Sequence, residues 1–139
     1  MSNHLSPDKI VSLMYKNDLF SKWLGIKITH VSKGKCILNM VVRKEMLNGF
    51  SICHGGITYS LGDSCLAFAA NSHGFKCVSI ETSISHLIKV KENDRLTACS
   101  IEKTVKEKKA FYEVTITNQE NKIVAIFKGT VHRTKKQWE

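Results

Sequence analysis

The stretch from Gly55 to about Asn71 restricts the fold more than any other part of this sequence. It contains no proline and few β-branched residues, and its large apolar side chains recur at helical spacing. Small residues, mainly serine, alanine and glycine, fill most of the remaining positions. A helix that is small or apolar on nearly every face is normally surrounded by other structure. The sequence therefore predicts one long buried helix around which the rest of the chain is arranged.

The segments on either side of this helix indicate one short helix and six strands. Ser6 followed by Pro7 is typical of a helix start, and two strands joined by the KGK turn follow it. After the long helix come four segments rich in valine, isoleucine and threonine, with turns at Asn93–Asp94 and Glu120–Asn121. This order predicts an α+β fold in which an antiparallel sheet curls around the central helix. Because the sheet covers only one side of that helix, we expect at least a dimer.

Length and composition limit the classes of protein that this chain can belong to. Its 139 residues, 42% of them apolar, suit one globular domain over residues 1–139. Five scattered cysteines do not resemble a disulfide framework, and no segment has the length and apolarity of a signal peptide or a membrane span. We therefore expect a cytoplasmic protein. The net charge of +9 predicts a polyanionic partner, which composition leaves open among nucleic acid, an anionic membrane and a phosphate-bearing ligand.

The central helix carries a single carboxylate, Asp63. An isolated aspartate in a helix is most often solvated or structurally paired, but burying a carboxylate without a partner is costly. No basic residue stands three or four positions away from Asp63, so an ordinary ion pair within the helix is excluded. The sequence thus predicts a special environment for this side chain.

Gly56 and Asp63 are seven residues apart and lie on nearly the same helix face. The rise of the helix separates them by roughly 10 Å, too far for both to act on one atom of the same chain. In two copies whose central helices pack antiparallel, Gly56 of one chain can approach Asp63 of the other. Free backbone N–H groups at Gly55–Gly56 suit a developing oxyanion, and Asp63 could deprotonate water or attack a carbonyl. This combination favours acyl transfer to water.

The arrangement LNGFSICHGG, an acid seven positions after Gly56, and then CLAFAANSHG closely resembles the hotdog-fold acyl-CoA thioesterases. It is most similar to the phenylacetic acid degradation thioesterases, which hydrolyse phenylacetyl-CoA and its hydroxylated relatives. The resemblance runs from MYKND to VAIFKGTVHR, nearly the whole chain. It implies a dimer that assembles into a homotetramer, and it implies no cofactor. In the implied mechanism Asp63 is the general base or nucleophile and the Gly56 N–H of the partner subunit polarises the thioester carbonyl.

The same resemblance implies further site residues. Asn48 and His54 would line the end of the site that holds Gly56, and Ser79 would help to place the water. From the residues alone, Asn48–Gly49 fits a plain turn equally well, and His54 fits a residue satisfied by backbone at the helix start.

A coenzyme A substrate would also account for the positive charge, since its phosphates pair with lysine and arginine. The substrate-binding set that we predict is Gly55, Lys89, Lys91, Arg95, Lys108 and Lys109. A solvated lysine face remains open for any one of the cations. The run LIKVKEND lacks the proline and glycine that the family often has in this loop, so its shape is expected to differ.

Other functions are weighed against the same residues. A non-catalytic hotdog module that binds acyl-CoA or nucleic acid is the main alternative, although it would not require Asp63. A hotdog dehydratase would usually place a histidine on or near the central helix, and a thiol nucleophile at Cys53 beside His54 has poor geometry. His73 and Cys77 lack further ligands at metal spacing, so no metal site is expected. Neither nucleic acid nor a membrane is predicted as a partner, and the acyl group is left open.

Overall fold

The computed structural model describes residues 4–139, so the first three residues of the predicted domain lie outside the described part. Four helical segments and six strands follow one another along these residues. They are α1 (Pro7–Lys16), α2 (Leu19–Leu24), β1 (Lys27–Ser32), β2 (Lys35–Val41), a 3₁₀ turn (Lys44–Met46), α3 (Gly55–Asn71), β3 (Phe75–His86), β4 (Arg95–Val105), β5 (Lys109–Thr117) and β6 (Ile123–Gln137).

The six strands form one antiparallel sheet in the order β1–β2–β4–β5–β6–β3. Helix α3 packs on this sheet and contacts every strand from β2 to β6. Its predicted apolar stripe is buried, and Leu61, Cys65 and Phe68 are almost completely so. The predicted α+β architecture, the hotdog arrangement of a sheet wrapped around one central helix, is therefore confirmed.

Three of the tight turns fall where the sequence places them. Gly34 in the KGK turn, Asn93 and Asn121 all have positive φ angles, of 79°, 71° and 60°. Glycine adopts this left-handed conformation freely, and asparagine tolerates it better than most residues. These turns set the hairpin that joins β1 to β2 and the connections that lead into β4 and β6.

Helix α2 is a feature that the sequence pattern did not predict. It has only six residues, too few for a helical period to be visible, but it is capped at both ends. The Asp18 side chain accepts a hydrogen bond from the Ser21 N–H (3.0 Å), and Gly25 ends the helix at φ 76°. Three apolar side chains of α2, those of Leu19, Phe20 and Trp23, remain exposed.

In the part of the chain that the structure describes, two surfaces lack a covering layer. On α3 the stripe Gly56, Ser60, Asp63 and Ala67 lies away from the sheet and is only partly buried or exposed. At the edge of the sheet, β3 exposes Val78 and Ile80 to 59% and 54%. Unpaired edge strands with apolar side chains are prone to pair with another chain.

All five cysteines carry free thiols. Among the described residues, no helix combines the length and apolarity needed to cross a membrane.

Replacing Gly62 by alanine tests how closely α3 lies against the sheet. An added Cβ would lie 2.7 Å from Cγ of the fully buried Phe127, near the base of that side chain, which cannot move aside. Overpacking a core costs about 1–3 kcal/mol, and alanine recovers about 0.5–1 kcal/mol of helix propensity. We expect urea unfolding to show a net loss of roughly 1–2 kcal/mol. The control is Gly49→Ala, whose Cβ meets no atom within 4 Å; equal midpoints for the two variants would contradict the packing argument.

Candidate active site

The N-terminus of α3 is built by a histidine cap. His54 has an extended backbone and precedes the helix, and its Nδ1 accepts a hydrogen bond from the Gly56 N–H (2.9 Å). The neutral imidazole therefore carries its proton on Nε2. We predicted that the Gly56 N–H would be open to a substrate; in this structure it is instead occupied by His54. In a single chain His54 is therefore a capping residue of α3.

The amide left open at this helix start belongs to Gly55. The neighbouring groups are engaged: the His54 N–H donates to Met46 O (2.8 Å), and the Ile57 N–H donates to His54 O (2.9 Å). Within residues 4–139 no group accepts a hydrogen bond from the Gly55 N–H. An unpaired N–H at a helix N-terminus is a ready hydrogen-bond donor to an atom that carries partial negative charge.

Asn48 anchors the loop that leads into this helix. Its Oδ1 accepts hydrogen bonds from the Phe50 N–H (2.8 Å) and the Ile52 N–H (3.4 Å), which confirms the turn. Its Nδ2 donates to no residue in the described part of the chain. Since the oxygen is fixed by the loop, the amide group is held in place with its donors available.

A cavity of about 330 Å³ brings three of the predicted residues together. Asn48, Gly55 and Lys89 all line it, so two neutral donors and one cation share one space. We call it the lysine cavity. Its other lining residues are mostly apolar: Ile52, Cys53, Thr58, His86, Leu87, Ile88 and Val90.

His86 is a member of this cavity that sequence reasoning missed. Its Nε2 lies 2.8 Å from Thr58 Oγ1, and Thr58 in turn donates to the Gly55 carbonyl (3.1 Å). Because the hydroxyl proton is used on Gly55, His86 donates from Nε2 to Thr58. A Cβ on Gly55 would lie 3.0 Å from Cε1 of this ring, so the imidazole covers the glycine closely. These contacts join residues about 30 positions apart, and no local pattern signals them.

The thiol of Cys53 also lines the lysine cavity. Burial, and secondarily the charge of Asp94, raise the pKa of Cys53 to about 11. A thiol with that pKa is protonated near neutral pH and is a poor nucleophile. The raised pKa therefore argues against Cys53 as the nucleophile.

Asp63 lies half-buried on the uncovered stripe of α3 and does not line the lysine cavity. Burial raises the pKa of its carboxyl group, and the negative charge of Asp18 raises it further. In the described part of the chain, no hydrogen bond or ion pair stabilises the Asp63 carboxylate. The carboxylate is therefore held as a stronger base than an ordinary aspartate.

Ser79 lies far from the lysine cavity in the same chain. It is exposed on β3, where it pairs with Val131, and His86 is seven residues further along that strand. At about 3.3 Å per residue the two positions are roughly 23 Å apart. One chain thus does not bring Ser79 to Asn48 and Gly55.

The predicted cations are also divided. Lys89 lines the lysine cavity, whereas Arg95 begins β4 and lines a different surface pocket. The Lys91 N–H takes part in a turn, donating to Asp94 Oδ2 (2.8 Å). Lys108 and Lys109 lie at the β4–β5 hairpin. Lys109 pairs with His132 on β6, which pairs with Val78 on β3, so both lysines lie near the N-terminal half of β3. Within residues 4–139 of a single chain, Lys89 is therefore the only predicted cation that lines the lysine cavity.

Comparison with known proteins places these residues in a family. The model of the family described as "Thioesterase superfamily" matches residues 50–125, which include the α3 N-terminus, Asp63 and Lys89. Acyl-coenzyme A thioesterase PaaI of Escherichia coli K12 is 38% identical over 120 residues, 86% of this chain and 86% of that protein. Human acyl-coenzyme A thioesterase 13 is 30% identical over 129 residues, 89% of this chain and 91% of that protein.

Solved structures agree with this placement. The structure of E. coli PaaI, from the phenylacetic acid degradation operon, superposes with a TM-score of 0.92 at 35% identity, covering 94% of this chain and 95% of that one. The structure of a hypothetical thioesterase from Streptococcus pneumoniae with coenzyme A gives a TM-score of 0.78 at 26% identity, covering 81% of this chain and 88% of that one. The resemblance found in the sequence is confirmed: this chain belongs to the thioesterase superfamily of hotdog-fold hydrolases.

Proposed function

We propose that this enzyme hydrolyses the thioester of phenylacetyl-CoA, or of a related aryl or medium-chain acyl-CoA, to the free acid and coenzyme A. The observation that carries the proposal is the open Gly55 N–H at the start of α3, in one cavity with the Asn48 amide and Lys89. The similarity to PaaI of the phenylacetic acid degradation operon supports the aryl substrate.

In the proposed reaction the thioester carbonyl oxygen accepts a hydrogen bond from the Gly55 N–H. We assign the donor role to Gly55 rather than Gly56, because the Gly56 N–H is held by His54. The Asn48 Nδ2 group, fixed by its loop, is a second donor for the same oxygen. Both donors stabilise the negative charge that develops on this oxygen in the transition state.

Asp63 of the partner subunit supplies the base. It removes a proton from water, the resulting hydroxide adds to the carbonyl carbon, and collapse of the tetrahedral intermediate expels coenzyme A as a thiolate. In the alternative mechanism the Asp63 carboxylate attacks the carbonyl carbon itself and coenzyme A leaves as a thiolate, which gives a mixed anhydride. Water then hydrolyses the anhydride to the free acid and restores the carboxylate. Ser79 of the partner subunit would help to place the water in either case.

Dimerisation would complete this site. The uncovered stripe of α3 carries Asp63, and the exposed edge of β3 carries Ser79, so an antiparallel partner could bring both toward the lysine cavity. The same partner could bring Lys108 and Lys109 toward Lys89. We propose a homodimer that assembles into a homotetramer, located in the cytoplasm, with Lys89 and these partner lysines near the coenzyme A phosphates.

The first test is release of free thiol from phenylacetyl-CoA by the wild type and by Asp63→Asn. Asparagine cannot accept the proton, and general base catalysis typically contributes about 10²–10⁴-fold, so we expect kcat to fall at least about 100-fold with the oligomer intact. Asp8→Asn, a neutralised acid exposed on α1, should keep wild-type activity. If the wild type releases no thiol, the chain is a non-catalytic acyl-CoA-binding module; if Asp63→Asn stays active, Asp63 is not the base.

The dependence of activity on pH tests the charge around Asp63. Because burial and Asp18 raise the pKa of Asp63, kcat/KM should fall on the acid side at a pH above the usual aspartate range. Asp18→Asn keeps an acceptor for the α2 cap but removes the repulsive charge, so the acid limb should move to lower pH. Asp8→Asn should leave the pH dependence of kcat/KM unchanged. If the acid limb of Asp18→Asn lies at the wild-type pH, the charge of Asp18 does not affect the pKa of Asp63.

The dimer is tested by a charge on the edge strand. Ile80→Lys places an ammonium in the middle of β3, where an apolar contact with the partner is proposed, so the dimer should dissociate and thiol release should be lost with it. The matched control is Ile101→Lys on β4, an interior strand, where isoleucine is 41% exposed. Light scattering measures the mass. An active Ile80→Lys monomer would contradict the shared site.

A further inference from the structure

A second cavity, of about 370 Å³, lies on the other side of the His54–Gly56 turn. It is bounded by α2 and the 3₁₀ turn, and His54 and Gly56 line it where it meets the start of α3. We call it the aromatic cavity. The remaining lining residues are Phe20, Trp23, Glu45, Met46, Leu47 and Ile57.

Two aromatic rings form one wall of this cavity. The centroids of Phe20 and Trp23 are 6.0 Å apart with an interplanar angle of 31°. The two residues are 52% and 48% exposed, and the described chain places nothing over the cavity that they face. Exposed aromatic surface costs free energy in water, and rings at this separation pack on each other and together present one continuous apolar wall.

Helix α2 is fixed at one end by a chain of hydroxyl contacts. Ser21 Oγ donates to Asp18 Oδ2 (2.6 Å) and lies 2.8 Å from Ser64 Oγ on α3. These contacts tie the helix directly to the helix that carries Asp63.

The other end of α2 is fixed by Arg43. Its Nη2 donates to Trp23 O (2.6 Å) and its Nη1 to Leu24 O (3.2 Å), while its guanidinium lies 4.9 Å from the centre of the Trp23 ring. Its Nε donates to Glu45 on the 3₁₀ turn (2.5 Å). Because a six-residue helix is held this firmly, its aromatic wall is preorganised, which lowers the entropy cost of binding a ligand.

The two cavities differ in chemistry and meet at the same turn. A thioester carbonyl on the Gly55 N–H would have the lysine cavity on one side and the aromatic cavity on the other. The coenzyme A arm carries phosphates and suits the side with Lys89. The acyl group then extends past Gly56, and in phenylacetyl-CoA one methylene separates the carbonyl carbon from the ring.

We infer that the aromatic cavity is the acyl subsite for an aryl ring, and that Phe20 and Trp23 determine specificity for aryl over short aliphatic acyl groups. This inference rests on the proposed thioesterase function. It assigns these two residues to substrate selection and gives them no part in the chemical step.

The test compares kcat/KM for phenylacetyl-CoA and acetyl-CoA in the wild type, Phe20→Ala and Trp23→Ala. We expect each substitution to lower the value for phenylacetyl-CoA by about tenfold and the value for acetyl-CoA by less than about threefold. Leu19→Ala is the matched control: Leu19 is exposed on the same helix but does not line the cavity, so both values should stay at wild type. Light scattering and circular dichroism accompany each variant.

A binding measurement keeps the inference testable if a variant folds poorly. Trp138→Phe leaves Trp23 as the only tryptophan, and a non-hydrolysable ketone analogue of phenylacetyl-CoA should then change its fluorescence, whereas the acetyl analogue should not. The inference would be overturned if kcat/KM fell equally for both substrates or if the ratio of the two values did not change. It would also be overturned if the fluorescence of Trp23 did not respond to the phenylacetyl analogue, or if the oligomer dissociated in Phe20→Ala and Leu19→Ala alike. A wild type that releases no thiol would instead remove the proposed function itself.

Discussion

The close packing of α3 into the concave face of the sheet is the interaction on which the rest of the structure depends. At Gly62 the helix lies so near Phe127 that no side chain fits between them, and the larger residues Leu61, Cys65 and Phe68 fill the space on either side. This contact fixes the rotation of the helix about its axis. Once the apolar stripe faces the sheet, Gly56 and Asp63 must face away from it, and the N-terminus of the helix must open beside the end of β3.

The uncovered face of α3 holds a group that is unfavourable for folding. The raised pKa of Asp63 means that the folded state favours the neutral carboxyl group, so this residue contributes stability at pH values below the ordinary aspartate pKa. That contribution is lost as the pH rises through the raised value, because the charged form is then both poorly solvated and close to Asp18. A carboxylate with a raised pKa is typical of catalytic sites, where the group is a stronger base and the folded protein is less stable for it.

The sequence predicted those parts of the structure that depend on local signals. The helix starting at Gly55 and the turns at Gly34, Asn93 and Asn121 follow from residue type and spacing. The grouping of Asn48 with the start of α3 was implied only by the family resemblance. The sequence did not reveal α2, which is too short to show a period.

Contacts between distant segments were equally invisible in the sequence. His86 reaches Gly55 through Thr58, and His54 occupies the Gly56 N–H, which leaves Gly55 with the open amide at the start of α3. Both depend on how β3 and the loop before α3 meet the helix in three dimensions. The separation of the predicted cations has the same origin. Lys89 and Lys91 follow β3, Arg95 begins β4, and Lys108 and Lys109 lie at the β4–β5 hairpin, so their distances become evident only from the register of the sheet.

The turn His54–Gly56 separates the lysine cavity from the aromatic cavity. Because of this separation, the acyl group that the protein accepts could change while the residues proposed for hydrolysis stay the same. On one side a lysine and two neutral donors suit a charged arm and a developing oxyanion; on the other side two aromatic rings on a six-residue helix suit an uncharged ring. The hydrogen bonds that anchor helix α2 run through its backbone and through Ser21, and within residues 4–139 the side chains of Phe20 and Trp23 add only the contact of the Trp23 ring with Arg43. Substitutions at these two positions can therefore alter the acyl subsite while the cap of α3, the Gly55 amide and Asp63 keep their places.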